Sequence, residues 1–395
     1  MDDLPLAARA ERMPQSGIRE IFDKAQAYDE LHDLSIGEPD FPTPEPIANA
    51  VSDALGSGVG GYTQTVGRGD LRHALAEKLD ERNGIDCDPD SELIVTPGAM
   101  GALFAATQVL CDPGDEVLVP SPYWPNYAGH LAAAGAELVP VPTDKSMGFT
   151  PRAADLEAAA SEDTVGVLVN TPGNPTGAVV SPDRLREIGA TLRERDWWAV
   201  LDETYEDLVY DGTAHHSLAS DPALFEHTVT VQSFSKSYAM TGWRIGYAVG
   251  PENVVSAMRV LQEHTVSSVA EPAQVAAKAA LEHRSVVSDI HDAFADRRTL
   301  IVDRLNDIRG VDPGTPRGAF YVFADVSAVT TDSRALTETL LEDEQVGTVP
   351  GSVFGPGGEG FLRFSYAADA GTISAAMDGL ERVVESRMAD TDYSG

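Results

Sequence analysis

Thr228-Val-Thr-Val231 is followed by Gln232-Ser233-Phe234-Ser235-Lys236-Ser237, then by Tyr238-Ala-Met240-Thr-Gly242-Trp243-Arg244, and then by Ile245-Gly-Tyr-Ala-Val249. Two short apolar runs therefore bracket a polar turn that carries a lysine and, eight residues on, an arginine. Runs of the same kind occur upstream at Leu93-Ile-Val-Thr96, Glu116-Val-Leu-Val119, Val165-Gly-Val-Leu-Val169 and Ala199-Val-Leu201, with helical or turn-like stretches between them. Short runs rich in Val, Ile and Leu suit strands covered on both faces. Their alternation with helices predicts an α/β chain built on a doubly wound, mainly parallel sheet.

Outward from this core, Leu34-Ser-Ile-Gly37-Glu-Pro39-Asp-Phe41-Pro42 must be extended, because residues before proline are pushed out of the helical region. A long helical pattern over 285–309 leaves the sheet. Ala319-Phe-Tyr-Val-Phe323, a helix around 334–345 and Gly360-Phe-Leu-Arg363-Phe-Ser-Tyr366 then read as a smaller α+β unit. The expected division is 1–45 as an N-terminal arm and small-domain segment, 46–285 as the large domain and 286–395 as the C-terminal small domain. The tail Met388–Gly395 is expected to fray.

The 395 residues include 63 acids against 28 bases, a net charge of −35, which disfavours nucleic-acid phosphates and anionic membranes as partners. Only five of those bases are lysines: Lys24, Lys78, Lys145, Lys236 and Lys278. A lysine-poor, acid-loaded surface is that of a salt-adapted protein, since high salt screens its self-repulsion. No apolar run approaches membrane-spanning length, the first residues lack the pattern of a secretion signal, and two cysteines make no disulfide framework. These features predict a soluble, cytoplasmic protein.

Ligands of open α/β sheets sit outside the carboxyl ends of the strands, and the residues there are polar. Asn170-Thr-Pro-Gly-Asn174-Pro-Thr-Gly177, Asp202-Glu-Thr-Tyr205, the Lys236 segment and Pro97-Gly98-Ala99-Met100 each follow a run. Lys24, Lys78, Lys145 and Lys278 lie in helical contexts where lysine is normally solvated. Lys236 lies among serines after a strand; Schiff-base chemistry requires a depressed pKa, by desolvation or by a cationic neighbour, which Arg244, eight residues on, could supply. Asp202 fits either a helix N-cap or a partner for a protonated ring nitrogen, with Tyr205 reaching the same ligand. Asn174-Pro-Thr-Gly177 alone is no more than a turn.

Together these segments resemble the class I/II aminotransferases, pyridoxal-phosphate enzymes of fold type I, over nearly the whole chain. The resemblance rests on Asn174-Pro-Thr-Gly177, Asp202-x-x-Tyr205, Ser233-x-x-Lys236 with Arg244, and a late strand arginine, Arg363. Gly37-Glu-Pro39-Asp-Phe41 and Ser121-Pro-Tyr-Trp124 precede them in the family's order. It implies a seven-stranded sheet, a large domain that binds pyridoxal 5'-phosphate, and a homodimer with shared active sites. Lys236 would hold the cofactor as an internal aldimine and shuttle the proton between Cα and C4′. Asp202 would pair with the pyridinium nitrogen, Tyr205 and Asn174 with the phenolic oxygen, and Trp124 would stack on the ring. Gly98, Ala99 and Met100, Ser233, Arg244 and Tyr62 of a neighbouring subunit would hold the phosphate. Arg363 would take the substrate α-carboxylate as a bidentate fork, with Gly37, Trp124 and Asn174 beside it.

The implied reaction moves an amino group from an L-amino acid, aspartate or aromatic, to a 2-oxo acid such as 2-oxoglutarate. The same motifs also occur in carbon–sulfur β-lyases, the alternative reading. No arginine is assignable to the distal carboxylate of a dicarboxylic substrate. Two G-x-G-x-x-G matches, at Gly56–Gly61 and Gly355–Gly360, lack the strand-to-helix context of a nucleotide site. No metal is expected, because the nine histidines and two cysteines show no ligand spacing. Glu38 and Glu203 read as structural, and Trp197 and Trp198 as core.

Overall fold

The computed structural model describes residues 4 and 6–392 apart from 16, 26 and 29. Seven strands form the central sheet: β1 Leu93–Thr96, β2 Glu116–Ser121, β3 Glu137–Pro142, β4 Thr164–Asn170, β5 Trp198–Asp202, β6 Thr228–Ser233 and β7 Gly246–Val249. Their spatial order is β1-β7-β6-β5-β4-β2-β3. Only β7 runs antiparallel, against both β1 and β6; the other pairings are parallel. Successive residues of β4 and β5 point to opposite cores. Leu168 and Val200 enter one cluster, while Val167, Val169, Ala199 and Leu201 enter the other. Burial on both faces is why these strands read as unbroken apolar runs.

β3 shows no such run. It is an edge strand paired only with β2, it is mostly half-exposed, and it contains Pro140 and Pro142. An edge tolerates proline because one side of its backbone has no strand to bond.

The smaller sheet comprises β8 Tyr321–Asp325, β9 Val349–Pro350 and β10 Phe361–Ser365, antiparallel in the order β9-β10-β8. The extended early segment joins it. His32-Asp33 pairs parallel with Val346-Gly347, and Ser365 N–H donates to Leu34 O at 2.8 Å. The helix Ser285–Asp307 crosses between cores: Val287 packs with the large unit, whereas Ile290, Phe294, Ile301 and Leu305 pack in the small one. This arrangement carries Gly37 and Arg363 to the carboxyl edge of the large sheet.

The C-terminal helix runs over Ala370–Asp392, so the tail is not frayed from Met388. Val383 and Val384 are buried, and Arg387 donates to Ala335 O and Thr339 Oγ1, which anchors the helix near its end. Residues 393–395 lie outside the described residues. Among the described residues no helix is long and apolar enough to cross a membrane.

Candidate active site

The register of the sheet brings the polar strand ends together. Asn170 of β4 lies opposite Asp202 of β5, and Asn170 Nδ2 donates to Asp202 O at 2.9 Å. The Asn170 Oδ1 in turn accepts from Asn174 N–H at 2.7 Å, which fixes the loop that follows. A cavity of about 270 Å³ opens over these ends and reaches the small unit at Tyr321 and Arg363.

Lys236 lies in the turn after β6. Its Nζ donates to Gly37 O at 2.5 Å and sits 5.7 Å from the centre of the Phe320 ring. The residue is partly accessible through the cavity it lines. Burial by surrounding protein is the main cause that brings its pKa down to about 8. Glu38 opposes the shift, and Arg244 and Arg363 assist it. Of the two causes left open by the sequence, desolvation is the larger and the Arg244 charge a secondary one.

Asp202 is buried. Its Oδ2 accepts from Tyr127 Oη at 2.8 Å, and its Oδ1 accepts from Thr204 Oγ1 at 2.6 Å and Thr204 N–H at 3.2 Å. Burial raises its pKa, and these donors hold the rise back. Tyr205 and Tyr321 share a hydrogen bond at 2.9 Å between hydroxyls. Tyr321 also explains Gly37, since a Cβ there would lie 2.1 Å from the Tyr321 hydroxyl.

Arg363 is 1% exposed. Its Nη1 donates to Asn174 Oδ1 at 3.1 Å and its Nη2 to Ser35 O. The guanidinium lies 4.6 Å from the Tyr321 ring centre and 5.2 Å from that of Phe354. Its Nε has no hydrogen-bond partner, and no carboxylate pairs with it among the described residues. A buried guanidinium lacking an anion is suited to receive one from a ligand.

A second arrangement suited to an anion lies where the helix Gly98–Leu110 begins. Gly98 has φ +73°, and a Cβ there would lie 2.7 Å from Arg244 Nη2. Gly246 likewise admits the backbone of this turn, since its Cβ would meet Ala99 N at 2.7 Å. Bare glycines therefore bring the free N–H groups of the helix and the Arg244 guanidinium to one place.

Gly37, Ala99, Met100, Trp124 and Asn174 line the cavity, as do Asp202, Tyr205, Ser233, Lys236, Arg244 and Arg363. Gly98 stands behind Arg244 instead. Tyr62 is 93% exposed and lies outside the cavity. Sequence reasoning missed Tyr127, Thr204 and Tyr321, all of which line it. Tyr127 carried a usable signal, because it follows Trp124 by three residues and the rings meet edge-on at 5.4 Å. Tyr321 did not, since it sits in a strand that reads as core.

Lys78 is a correction. It is 7% exposed rather than solvated, because its Nζ meets Glu206, Asn83 Oδ1 at 2.9 Å and Gln232 Oε1 at 2.7 Å.

This donor set fits pyridoxal phosphate: a lysine of lowered pKa, a buried carboxylate for a ring nitrogen, and a glycine-bared helix terminus with an arginine for a phosphate. The chain also resembles known proteins along its length. The family model described as "Aminotransferase class I and II" matches residues 29–380. An aromatic-amino-acid aminotransferase 2 of Thermococcus litoralis is 38% identical over 387 residues, covering 97% of this chain and 99% of that protein. An aspartate aminotransferase of Pyrococcus abyssi is 36% identical over 387 residues, with the same coverage of each. The solved structure of an aspartate aminotransferase from Thermus thermophilus with maleate superposes with a TM-score of 0.91 at 37% identity, covering 96% of this chain and 100% of that one.

Proposed function

Because the chain belongs to the class I and II aminotransferases, enzymes that use pyridoxal phosphate, we propose that it moves an amino group from L-aspartate or an aromatic L-amino acid to a 2-oxo acid such as 2-oxoglutarate. In this reading Lys236 is the residue that holds the cofactor covalently. One observation carries it: Lys236, with its amine on a backbone carbonyl, shares a cavity with buried Asp202 and with Arg363, which lacks a carboxylate.

When bound, the cofactor supplies an electron sink that acidifies the donor's Cα–H bond. Lys236, deprotonated at modest cost given a pKa of about 8, would be the base that takes the Cα proton and holds it for return. Asp202, held by Tyr127 and Thr204, would pair with the ring nitrogen. Tyr205 and Asn174 would bond the ring oxygen, and Trp124 would cover the ring. The N–H groups of Gly98, Ala99 and Met100, with Ser233 and Arg244, would hold the phosphate. Arg363 receives the substrate α-carboxylate beside Gly37. Tyr62, exposed on this chain, completes the phosphate site of a second copy, so the active unit is a homodimer. The donor classes are those in the names of its relatives.

The test is a visible spectrum of the purified protein in molar KCl. An absorption band that bleaches with L-aspartate or L-phenylalanine and returns with 2-oxoglutarate is expected. A band that no donor bleaches, with pyruvate and ammonia released from a β-substituted amino acid, would replace this reading by the lyase. We also assign the protein to a salt-rich cytoplasm on its charge of −35. Full stability in dilute buffer would contradict that assignment.

A further inference from the structure

A second polar cluster lies next to the cavity without lining it, and the proposed reaction does not use it. Glu203, which follows Asp202, is 0% exposed. Its Oε1 accepts from Ser217 Oγ at 2.8 Å, and its Oε2 from Gln232 Nε2 at 3.1 Å. Glu206 Oε2 accepts from Asn83 Nδ2 at 2.7 Å and Gln232 Nε2 at 2.9 Å, and its Oε1 meets Lys78. Tyr247 donates to Gln232 Oε1. Carboxylates withdrawn from water call for cations beside them: Lys78 stands by Glu206 and Arg284 by the neighbouring Asp207, and Glu203 needs another.

The other is His215. Its side chain is 7% exposed, and its Nε2 lies 3.1 Å from Glu203 Oε2. Neither ring nitrogen makes a hydrogen bond of ordinary geometry, and the charge of Glu203 is the largest influence favouring the imidazolium. Burial works against a charged imidazole here. Glu203, and then Glu206, outweigh burial and a smaller push from Lys78, and they hold His215 above its ordinary 6.5. Donor atoms of Glu203, Glu206 and His215 lie within 4.8 Å of one another, as around a metal ion. Yet both carboxylates already accept protein donors, and Lys78, Arg284 and Arg82 already stand by Glu206 and Asp207. A proton on His215 gives Glu203 the counter-charge it otherwise lacks.

Asp202, the preceding residue, is within reach of this pair: burial is the main obstacle to its ionisation, and the charge of Glu203 adds to it. We infer that His215 is a positioning residue of the active site: as imidazolium it neutralises Glu203, and so keeps its neighbour Asp202 a carboxylate toward the cofactor ring. The inference rests on the role proposed above for Asp202. A protonated Asp202 could not pair with a protonated ring nitrogen.

The experiment measures the affinity of apoenzyme for pyridoxal phosphate by equilibrium dialysis, with thermal unfolding of each variant alongside. His215→Gln is expected to weaken binding about tenfold, within the range of coupling between neighbouring buried groups. His215→Gln/Glu203→Gln is expected to recover to within about threefold of the parent, since the charge needing balance is gone. On an Asp202→Asn background, His215→Gln is expected to add nothing, whereas a merely structural histidine would cost the same on either background. Parent-like affinity of His215→Gln, no recovery in the double variant, or a stoichiometric metal ion in the purified enzyme would each overturn the inference. If His215→Gln does not fold, Glu203→Gln decides alone: affinity within threefold of the parent supports the inference, and a tenfold loss overturns it. Parent-like affinity of Asp202→Asn would instead refute the role proposed for Asp202.

Discussion

Lys78 and Lys236 are both withdrawn from solvent, in opposite company. Lys78 Nζ is saturated by a carboxylate and two side-chain amides. Lys236 Nζ has one backbone carbonyl and a ring. Arg298 and Arg363 repeat the contrast. Arg298 donates to both oxygens of Asp211, at 3.2 and 2.5 Å, and to Pro316 O at 2.7 Å. Arg363 has an amide, a carbonyl and an idle Nε. Burial of a cation therefore does not by itself mark chemistry. A cation left incompletely paired at a cavity wall does, because its desolvation is repaid only when a ligand arrives.

Substitution should separate the members of each pair. The largest effect is expected at Lys236→Ala, with transamination half-reactions slowed by ~10²–10⁴-fold, the range of a lost general base, while pyridoxal phosphate still binds; stopped-flow absorbance with single amino acids measures this. Lys78→Ala should act on the fold instead, losing about 3–5 kcal/mol in urea unfolding because Glu206 is left buried without its cation. Equal rate losses in the two variants would erase the contrast.

Arg363→Ala should raise the apparent KM for the amino donor by roughly 10–150-fold, from the 1.5–3 kcal/mol of charged hydrogen bonds removed. Cofactor affinity should change little, and Arg363→Lys should recover only part of the loss, since it cannot form the fork. Arg298→Ala should leave KM near the parent and lower the unfolding midpoint. The smallest effect is one of pH. An amine with a pKa of about 8 becomes nucleophilic as pH rises through that value, so the rate at which apoenzyme takes up pyridoxal phosphate should climb between pH 7 and 9 and then level. The sign for stability is the same: a lysine depressed in the folded state costs stability below about 8, and the cost is relieved as pH rises toward its ordinary 10.5. A rate still climbing tenfold per unit above pH 9 would mean Lys236 is as solvated as an ordinary lysine.

The cavity residues most readable in the sequence were those at strand ends. Asp202 and the Lys236 turn follow unbroken apolar runs, and a polar residue there has nowhere to go but the sheet edge. Tyr127 offered only its spacing from Trp124, and Tyr321 no sign at all, because their hydroxyls find Asp202 and Tyr205 across 75 and 116 residues of chain. β3 was hidden by its prolines and its edge position, and the helical end of the chain by contacts that Arg387 makes with another helix.

Lys78 looked like a surface lysine because its helix, Gly69–Lys78, has no strong apolar stripe to mark a buried face. Asn83 lies five residues on, but the partners that bury it most, Glu206 and Gln232, come from distant segments. By itself the sequence determined the doubly wound sheet, its polar edge and the segments that resemble an aminotransferase. Periodicity, strand-end chemistry and spacing are local properties of the chain, and they survive without coordinates. Only the tertiary structure decided which cations are paired, that burial more than Arg244 lowers the Lys236 pKa, and that His215 stands against Glu203 one residue from Asp202. Pairing and desolvation are set by which distant groups share a low-dielectric space, and no local pattern encodes them.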